Sequence, residues 1–348
     1  MTSSGPAVTS FPIQRVTVDE TGRAAHEERL EQILVEEPLR ILVNEREVAV
    51  LMRTPGQDLE LAVGFVLTEG IVDDPRQIAG VRQCGRSFPA ASAASTPSTA
   101  STRAPTLSST EGGESGGAGG RVGGDAAGAE PANVVQLWTI DGVEPRLGAF
   151  REVRSSCSLC GAEEIERLLA PSVRPDGDAV GSDGLGGAAS LCGEFWPPED
   201  LVRLAGQLRP HQPLFHATGA AHGAAVFDRS GRLLVLAEDI GRHNALDKAV
   251  GALGWRGMLR PSGTAAPGAS GTGALACSAA DPSDPGTFAL ALSSRLSFEM
   301  VLKAWRAGIR NVVAVSAASS MAVAFARRAG VQIAAFARGS SMNLFPRR

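Results

Sequence analysis

The residues with the strongest claim to chemistry are Cys157 and Cys160, a C-x-x-C pair inside the small-residue run SSCSLCG at 155–161. A cysteine thiolate binds metals, exchanges disulfides and attacks other sulfur atoms, so three chemistries are open. A zinc site needs four ligands, commonly arranged as two pairs. Cys84, Cys192 and Cys277 stand alone in the chain. A zinc deaminase would add H-x-E and P-C-x-x-C, but His222 is followed by Gly-Ala and Cys157 is preceded by Ser156. No zinc or other metal ligand set is therefore assigned. A redox dithiol is expected directly after a buried strand, whereas residues 151–156 are polar. A sulfur-carrying nucleophile suits the loop, which runs into AEEIERLLA (162–170), an amphipathic helix pattern. A helix N-terminus lowers a nearby thiol pKa, and a second thiol can release a bound sulfur by exchange. Two small buried cysteines without chemistry are the plain alternative.

A second set of polar residues falls in four loops. These are ATGAAHG (217–223), EDIGRHN (238–244), SSRLS (293–297) and ARGSS (337–341). Between strand and helix, free backbone N–H groups suit anions. Arg242, Arg295 and Arg338 add charge-assisted donors for phosphate. Each loop alone also reads as a cap with a solvated charge, and His222 and His243 also read as histidines bonded to a nearby carbonyl. Glu238, Asp239 and Asp247 lie close to His243 in sequence, which allows acid/base work. The expected role of Asp239 and Asp247 is to fix the loop and cap the helix.

The elements that must position these residues follow from hydrophobic periodicity. Residues 39–53 read as a hairpin turning at Asn44-Glu45-Arg46, followed by a helix over 59–69 capped by Asp58. A strand is expected over 134–140 and a helix over 200–208. From residue 216 onward strands and helices alternate: strands at 224–227, 233–237, 288–292, 312–315 and 331–336, helices at 244–253, 298–307 and 320–329. That alternation implies an α/β sheet covered by helices. Residues 1–30 read as a flexible arm. Three stretches, 86–131, 171–189 and 261–285, are dominated by Ala, Ser, Thr, Gly and Pro and are expected to be disordered insertions. The expected organisation is an N-terminal α+β domain over 31–155 and a C-terminal α/β domain over 156–348 that begins with the C-x-x-C loop.

The 348-residue chain is 43% hydrophobic with a net charge of -4 and five cysteines. A general polyanion-binding surface is not expected, so no nucleic-acid partner is assigned. No run of about 18 apolar residues marks a membrane span. The first residues lack the pattern of an export signal, so a cytoplasmic location is expected, where a C-x-x-C is a metal or catalytic motif more often than a disulfide.

Seven segments in order carry a family resemblance: TPGQDLELAVGFVLTEGI, SSCSLCG, ATGAAHGAAVFD, AEDIGRHNALDKAVG, LSSRLSFEMVLKAWRAGI, AVSAASSMAVAFA and AFARGSSMNLF. The chain resembles the formate dehydrogenase accessory sulfurtransferases, the FdhD/NarQ family. The resemblance implies a persulfide sulfurtransferase that accepts sulfur from a cysteine desulfurase and passes it to the molybdenum bis-guanine-dinucleotide cofactor of formate dehydrogenase. It also implies a homodimer and a cytidine-deaminase-like C-terminal fold without zinc. Carried over by position, Cys157 matches the persulfide carrier and Cys160 its partner. Phe336, Ala337, Arg338, Gly339, Ser340 and Ser341 match the cofactor-binding stretch. Thr218, His222, Asp239, Arg242, His243 and Ser294 match further motif positions. Ala220 and Ala221 depart from the glycine and small polar residue expected there, and Ser341 replaces a basic residue. The alternative implied by the same motifs is a non-catalytic chaperone for the cofactor.

Overall fold

The computed structural model describes residues 6–84, 133–146, 195–259 and 288–346. Cys157, Cys160, the 162–170 segment and the three low-complexity stretches lie outside the described residues.

The hairpin read from residues 39–53 is present as β3 (Glu37–Val43) and β4 (Arg46–Arg53). Its two-residue turn, Asn44-Glu45, holds both residues at positive φ, the arrangement whose twist matches paired strands. Asn44 has the extra reason of its side chain: Nδ2 donates to Thr139 Oγ1 at 2.8 Å, and Oδ1 accepts from the Thr139 N–H at 3.0 Å. With β5 (Ile78–Cys84) and β6 (Val134–Thr139) this hairpin makes a four-stranded sheet in the order β4-β3-β6-β5.

Helix α1 (Asp58–Thr68) follows β4. Asp58 does not cap it. Gln57 is the N-cap, in a left-handed conformation with no side-chain cap. The Asp58 carboxylate turns instead to Arg53, with Oδ1 2.9 Å from Nε, and accepts from Gln83 Nε2 at 2.8 Å. Arg53 is fully buried and needs a counter-charge more than the helix needs a cap.

The C-terminal alternation is also present. Helices α2 (Pro198–Leu208) and α3 (Pro213–Thr218) precede β7 (His222–Phe227) and β8 (Leu233–Asp239). Then come α4 (Arg242–Trp255), β9 (Ala289–Leu292), α5 (Phe298–Arg306), β10 (Asn311–Ala314), α6 (Ser320–Ala329), β11 (Gln332–Arg338) and β12 (Ser341–Leu344). The sheet order is β12-β11-β10-β9-β7-β8. Strands β9, β10 and β11 are parallel, β7 runs against β9, and β8 runs against β7. The chain is thus a mixed α/β protein, with a four-stranded and a six-stranded sheet at its core. Its last strand, β12, lies beyond the end expected at residue 336. It pairs back on β11 through the tight Gly339-Ser340 turn, so the 337–341 stretch is a hairpin rather than an open loop.

One apolar cluster runs through both sheets, from Leu39 and Val135 through Leu61 and Phe65 of α1 to Leu246, Leu290 and Val312. Helices α1 and α4 approach through paired glycines. A Cβ on Gly64 would stand 1.8 Å from the Asp247 carbonyl oxygen, and one on Gly251 would stand 1.8 Å from that of Glu60. Beneath this crossing Lys303 of α5 is buried among Glu69 (2.5 Å), Asp247 (2.9 Å) and Thr68 Oγ1 (2.9 Å). Burial disfavours the ammonium, but Asp247 and Glu69 outweigh it and hold the Lys303 pKa above its ordinary value. Burial pushes the Asp247 carboxyl up against the pull of Lys303. The helix cap expected from Asp247 is accordingly absent; its carboxylate serves this cluster.

Residues 6–30, read as part of a flexible arm, differ most from expectation. Val8–Val18 (β1) and Ala24–Leu34 (β2) form an antiparallel hairpin in continuous register. Most of its side chains are exposed on both faces, so neither strand buries the single apolar face that marks a half-buried strand.

Lys303→Met removes one member of the buried cluster and leaves two carboxylates facing each other. It is expected to lower unfolding free energy by about 3–5 kcal/mol, read by denaturant titration. A loss under about 1 kcal/mol would show that the cluster does not hold the helices together.

Candidate functional site

The parallel strands and their antiparallel neighbours bring five segments to one edge of the six-stranded sheet. These are the start of β7 (His222), the ends of β8 (Asp239), β9 (Leu292) and β10 (Ala314), and the end of β11 (Arg338). Four neighbour steps separate β8 from β11 in the sheet order, roughly 19 Å at about 4.8 Å per step. Three helices, α4, α5 and α6, begin at this edge and aim their N-termini at it. The N-caps Gly241 and Ser297 carry no side-chain cap, while Ser319 Oγ accepts from the Ala322 N–H at 3.2 Å. Uncapped N–H groups and the positive ends of three helix dipoles make the edge suited to anions.

Asp239 is the pivot of the edge. Its Oδ1 accepts from the Gly241 N–H (2.8 Å) and Asn244 Nδ2 (3.0 Å), and its Oδ2 accepts from the Thr54 N–H (3.1 Å). Lys248 Nζ lies 2.7 Å from Oδ2 and also donates to the carbonyls of Thr54 (2.8 Å) and Glu238 (3.3 Å). Asp239 thus does fix the loop, as its sequence position implies. Next to it, Glu238 accepts from the Leu214 and Phe215 N–H groups, both at 2.9 Å, and so caps α3. Helix α3 ends at Thr218, whose hydroxyl donates to Leu214 O at 2.7 Å, and turns through left-handed Gly219 toward His222. The same hydroxyl accepts from the Ala220 N–H at 3.2 Å.

His222 is the cross-strand partner of Asp239. Burial lowers its pKa, the positive Arg242 lowers it further, and Asp239 opposes both. His243 is buried, with Nε2 2.9 Å from Glu299 Oε2. Ser294 is buried and donates to the Arg295 carbonyl at 3.2 Å, while the neighbouring Ser293 Oγ accepts from the Gly223 N–H at 2.8 Å. Arg242 Nε and Ser297 Oγ are buried without a hydrogen-bond partner among the described residues. Orphaned polar atoms at two adjoining helix N-termini are what an anionic ligand would satisfy.

His222, Asp239, Arg242, His243 and Ser294 therefore gather over β7, β8 and β9. The Phe336–Ser341 stretch sits on the same edge but farther along, on β11. There Phe336 is exposed at a positive φ of 54° and donates its N–H to Ser316 O. Ala337 is buried, so its side chain faces the core rather than the edge. Arg338 is exposed, and its Nε donates to Val315 O at 3.2 Å. The 315–319 loop that joins the two groups was not among the four loops singled out, because it carries serines and alanines with no charge. Thr54, Lys248 and Glu299 were likewise not legible as site residues. The available signal was a lysine on the otherwise apolar face of α4. Among the described residues no cluster of His, Cys, Asp and Glu suits a metal, and no helix is long and apolar enough to cross a membrane.

Fold and edge together define a mixed α/β protein with an anion-suited strand-end face. The profile of the FdhD/NarQ family matches residues 34–141 and 193–348, and the chain belongs to that family. It is 34% identical over 323 residues to the sulfur carrier protein FdhD of Mycobacterium tuberculosis, covering 92% of this chain and 91% of that one. It is 30% identical over 315 residues to the protein of the same name from Corynebacterium efficiens, covering 90% and 89%. Its fold is shared with a solved structure described as a formate dehydrogenase accessory protein from Desulfotalea psychrophila. The TM-score is 0.56 at 18% identity, covering 97% of this chain and 96% of that one.

The folded pKa of His222 lies below 6.5. Its neutral form is favoured in the fold, so its contribution to stability is full above 6.5 and is lost as pH falls through the folded value. An NMR titration is expected to place the His222 midpoint below 6.5 in the wild type and closer to 6.5 in Arg242→Gln. A wild-type midpoint above 6.5 would contradict the arrangement.

Proposed function

We propose that this chain is a sulfurtransferase that accepts sulfane sulfur from a cysteine desulfurase and delivers it to the molybdenum of a bis-guanine-dinucleotide cofactor, serving formate dehydrogenase. The observation that carries the proposal is the anion-suited edge in a chain whose relatives are named sulfur carriers. Guanine dinucleotides carry pyrophosphates, and three helix N-termini with Arg242 and Arg338 supply donors for them over a span that an elongated ligand needs. The cofactor is substrate here, bound for modification and passed on. The cytoplasm is the setting proposed, the compartment in which a C-x-x-C is a metal or catalytic motif more often than a disulfide.

The sulfur chemistry rests on the C-x-x-C sequence. The Cys157 thiolate attacks the outer sulfur of the desulfurase persulfide. The donor S–S bond breaks, the desulfurase leaves as a thiolate, and Cys157 carries the persulfide. Once the cofactor is bound to receive it, attack by the Cys160 thiolate on Cys157 Sγ expels the outer sulfur as hydrosulfide. The expelled sulfur gains two electrons, and the pair is oxidised to a disulfide that needs a thiol reductant before the next cycle.

Intact mass after incubation with a desulfurase and cysteine is expected to rise by one sulfur atom on the wild type and not on Cys157→Ser. No gain on the wild type, with an active desulfurase control, would overturn sulfur carriage and leave a cofactor chaperone. Arg338→Ala is expected to weaken binding of guanosine diphosphate by about 1.5–3 kcal/mol, the range for a hydrogen bond to a charged group. Unchanged affinity by calorimetry would remove Arg338 from the site.

A further inference from the structure

We propose that His222 is a catalytic residue of the delivery step: its imidazole takes the S–H proton of the incoming hydrosulfide and hands it to the oxygen that the sulfur displaces on the metal. The proposal rests on the sulfur-transfer reading and assigns a residue to its last step.

The five histidines differ in what holds them. His211 Nδ1 lies 2.7 Å from the Gln207 carbonyl oxygen, His216 Nε2 lies 2.9 Å from that of Arg209, and His243 Nε2 lies 2.9 Å from Glu299 Oε2. His26 is exposed on the β1–β2 hairpin. His222 is half-buried at the strand-end edge, with no hydrogen-bond partner for its ring among the described residues. Its ring nitrogens are not shut away from solvent, so a ligand at the edge reaches them.

The backbone that carries the ring is held on both sides. His222 pairs with Asp239 of β8. The next residue, Gly223, donates its N–H to Ser293 Oγ at 2.8 Å and accepts from the Ser293 N–H at 3.0 Å. A Cβ on Gly223 would stand 2.4 Å from Gln212 Nε2, so the strand is seated directly on the layer beneath. Opposed residues of an antiparallel pair project from one face, with Cβ atoms about 4.5–5.5 Å apart. His222 and Asp239 are therefore neighbours, but the aspartate is not free to bond the imidazole. Its Oδ1 accepts from Gly241 and Asn244, and its Oδ2 takes Thr54 and Lys248. Those four donors fill the roughly four acceptor sites of a carboxylate.

The charged and titratable groups around the ring are Arg242 and His243 of α4, Asp239 of β8 and Arg295 of the β9–α5 loop. Burial first, and Arg242 next, hold the imidazole in its neutral form, against the pull of Asp239. A neutral imidazole that titrates near the working pH both accepts and returns a proton. The exchange involves no oxidation or reduction. Hydrosulfide brings an electron pair to the metal, its S–H bond breaks, and the proton goes to His222. The bond from the metal to one oxo ligand breaks, the oxygen keeps the bonding electrons, takes the proton from His222 and leaves as hydroxide. Hydrosulfide and an oxo ligand have become a sulfido ligand and hydroxide, and His222 is neutral again. The entering and leaving groups are both anions, and Arg242 and Arg295 beside the ring stabilise them through the exchange.

The test separates loading from delivery. The full chain is loaded with sulfur by a cysteine desulfurase and cysteine, read by intact mass. Delivery is read as the rate at which formate dehydrogenase holding sulfur-free cofactor becomes active. In His222→Gln, loading and guanosine diphosphate affinity are expected to match the wild type, while delivery slows roughly a hundredfold or more, the scale of a lost acid–base group. In His222→Ala, added imidazole is expected to restore part of the rate. Below pH 6.5 the wild-type delivery rate is expected to fall with pH more steeply, by one proton, than that of His222→Gln, because a protonated His222 accepts nothing. Delivery by His222→Gln within about threefold of the wild type, equal pH slopes, a His222→Ala rate that imidazole leaves unchanged, or lost guanosine diphosphate binding in His222→Gln would overturn the proposal and leave sulfur carriage standing. Absence of loading on the wild type would overturn the sulfur-transfer reading and the proposal with it.

Discussion

The ion pair between Asp239 and Lys248 is the constraint on which the strand-end face depends. Both side chains are out of solvent, at 0% and 1% exposure. Removing two charges from water is costly, and a pair of this kind persists only when its remaining hydrogen-bonding capacity is filled. Here it is filled. Lys248 reaches Asp239 and two backbone carbonyls, and Asp239 receives Thr54, Gly241 and Asn244 besides the lysine. Two of those partners belong to Thr54, which follows β4, an edge strand of the four-stranded sheet. One buried pair therefore sets the shape of the 239–244 turn, the start of α4 and the position of the four-stranded sheet against the six-stranded one.

A second buried lysine performs a similar service deeper in the molecule. Lys303 joins the end of α1, the middle of α4 and α5 through Glu69, Thr68 and Asp247. The facing glycines Gly64 and Gly251 let α1 and α4 come close enough for those groups to meet. Helices held this firmly keep their N-termini aimed at the strand ends. The helix N-termini at the edge then work together with Arg242, and the lowered pKa of His222 comes first from burial and next from that arginine.

Much of this was legible in the chain. The 39–53 hairpin, α1, and the alternating elements after residue 216 are visible because their apolar periods are strong. His222, Asp239, Arg242, His243 and Ser294 were legible as loop residues between strand and helix, and the sheet order does bring them together. Thr218 was read as part of the same loop, but its hydroxyl closes the last turn of α3. Asp58 and Asp247 were read as caps, and both instead neutralise a buried cation. A cap preference is a local signal worth about 1 kcal/mol, whereas leaving a buried arginine or lysine unpaired costs several. The stronger term won at both positions. The β1–β2 arm was unreadable because its pairing is not written as an apolar face.

By itself the sequence determined the fold class, the family and the residue types available for chemistry, because periodicity, turn chemistry and ordered motifs are local properties of the chain. Which of those residues share one edge was decided by the tertiary structure. The antiparallel placement of β7 puts His222 beside Asp239, and the parallel run of β9, β10 and β11 adds three strand ends to the same side. The partners that stabilise the edge, Thr54 with Asp239 and Glu69 with Lys303, stand 185 and 234 positions apart (239 − 54 and 303 − 69). Nothing local marks such pairs, since each is chosen by the need of a buried charge for the nearest compensating group once the core has closed around it.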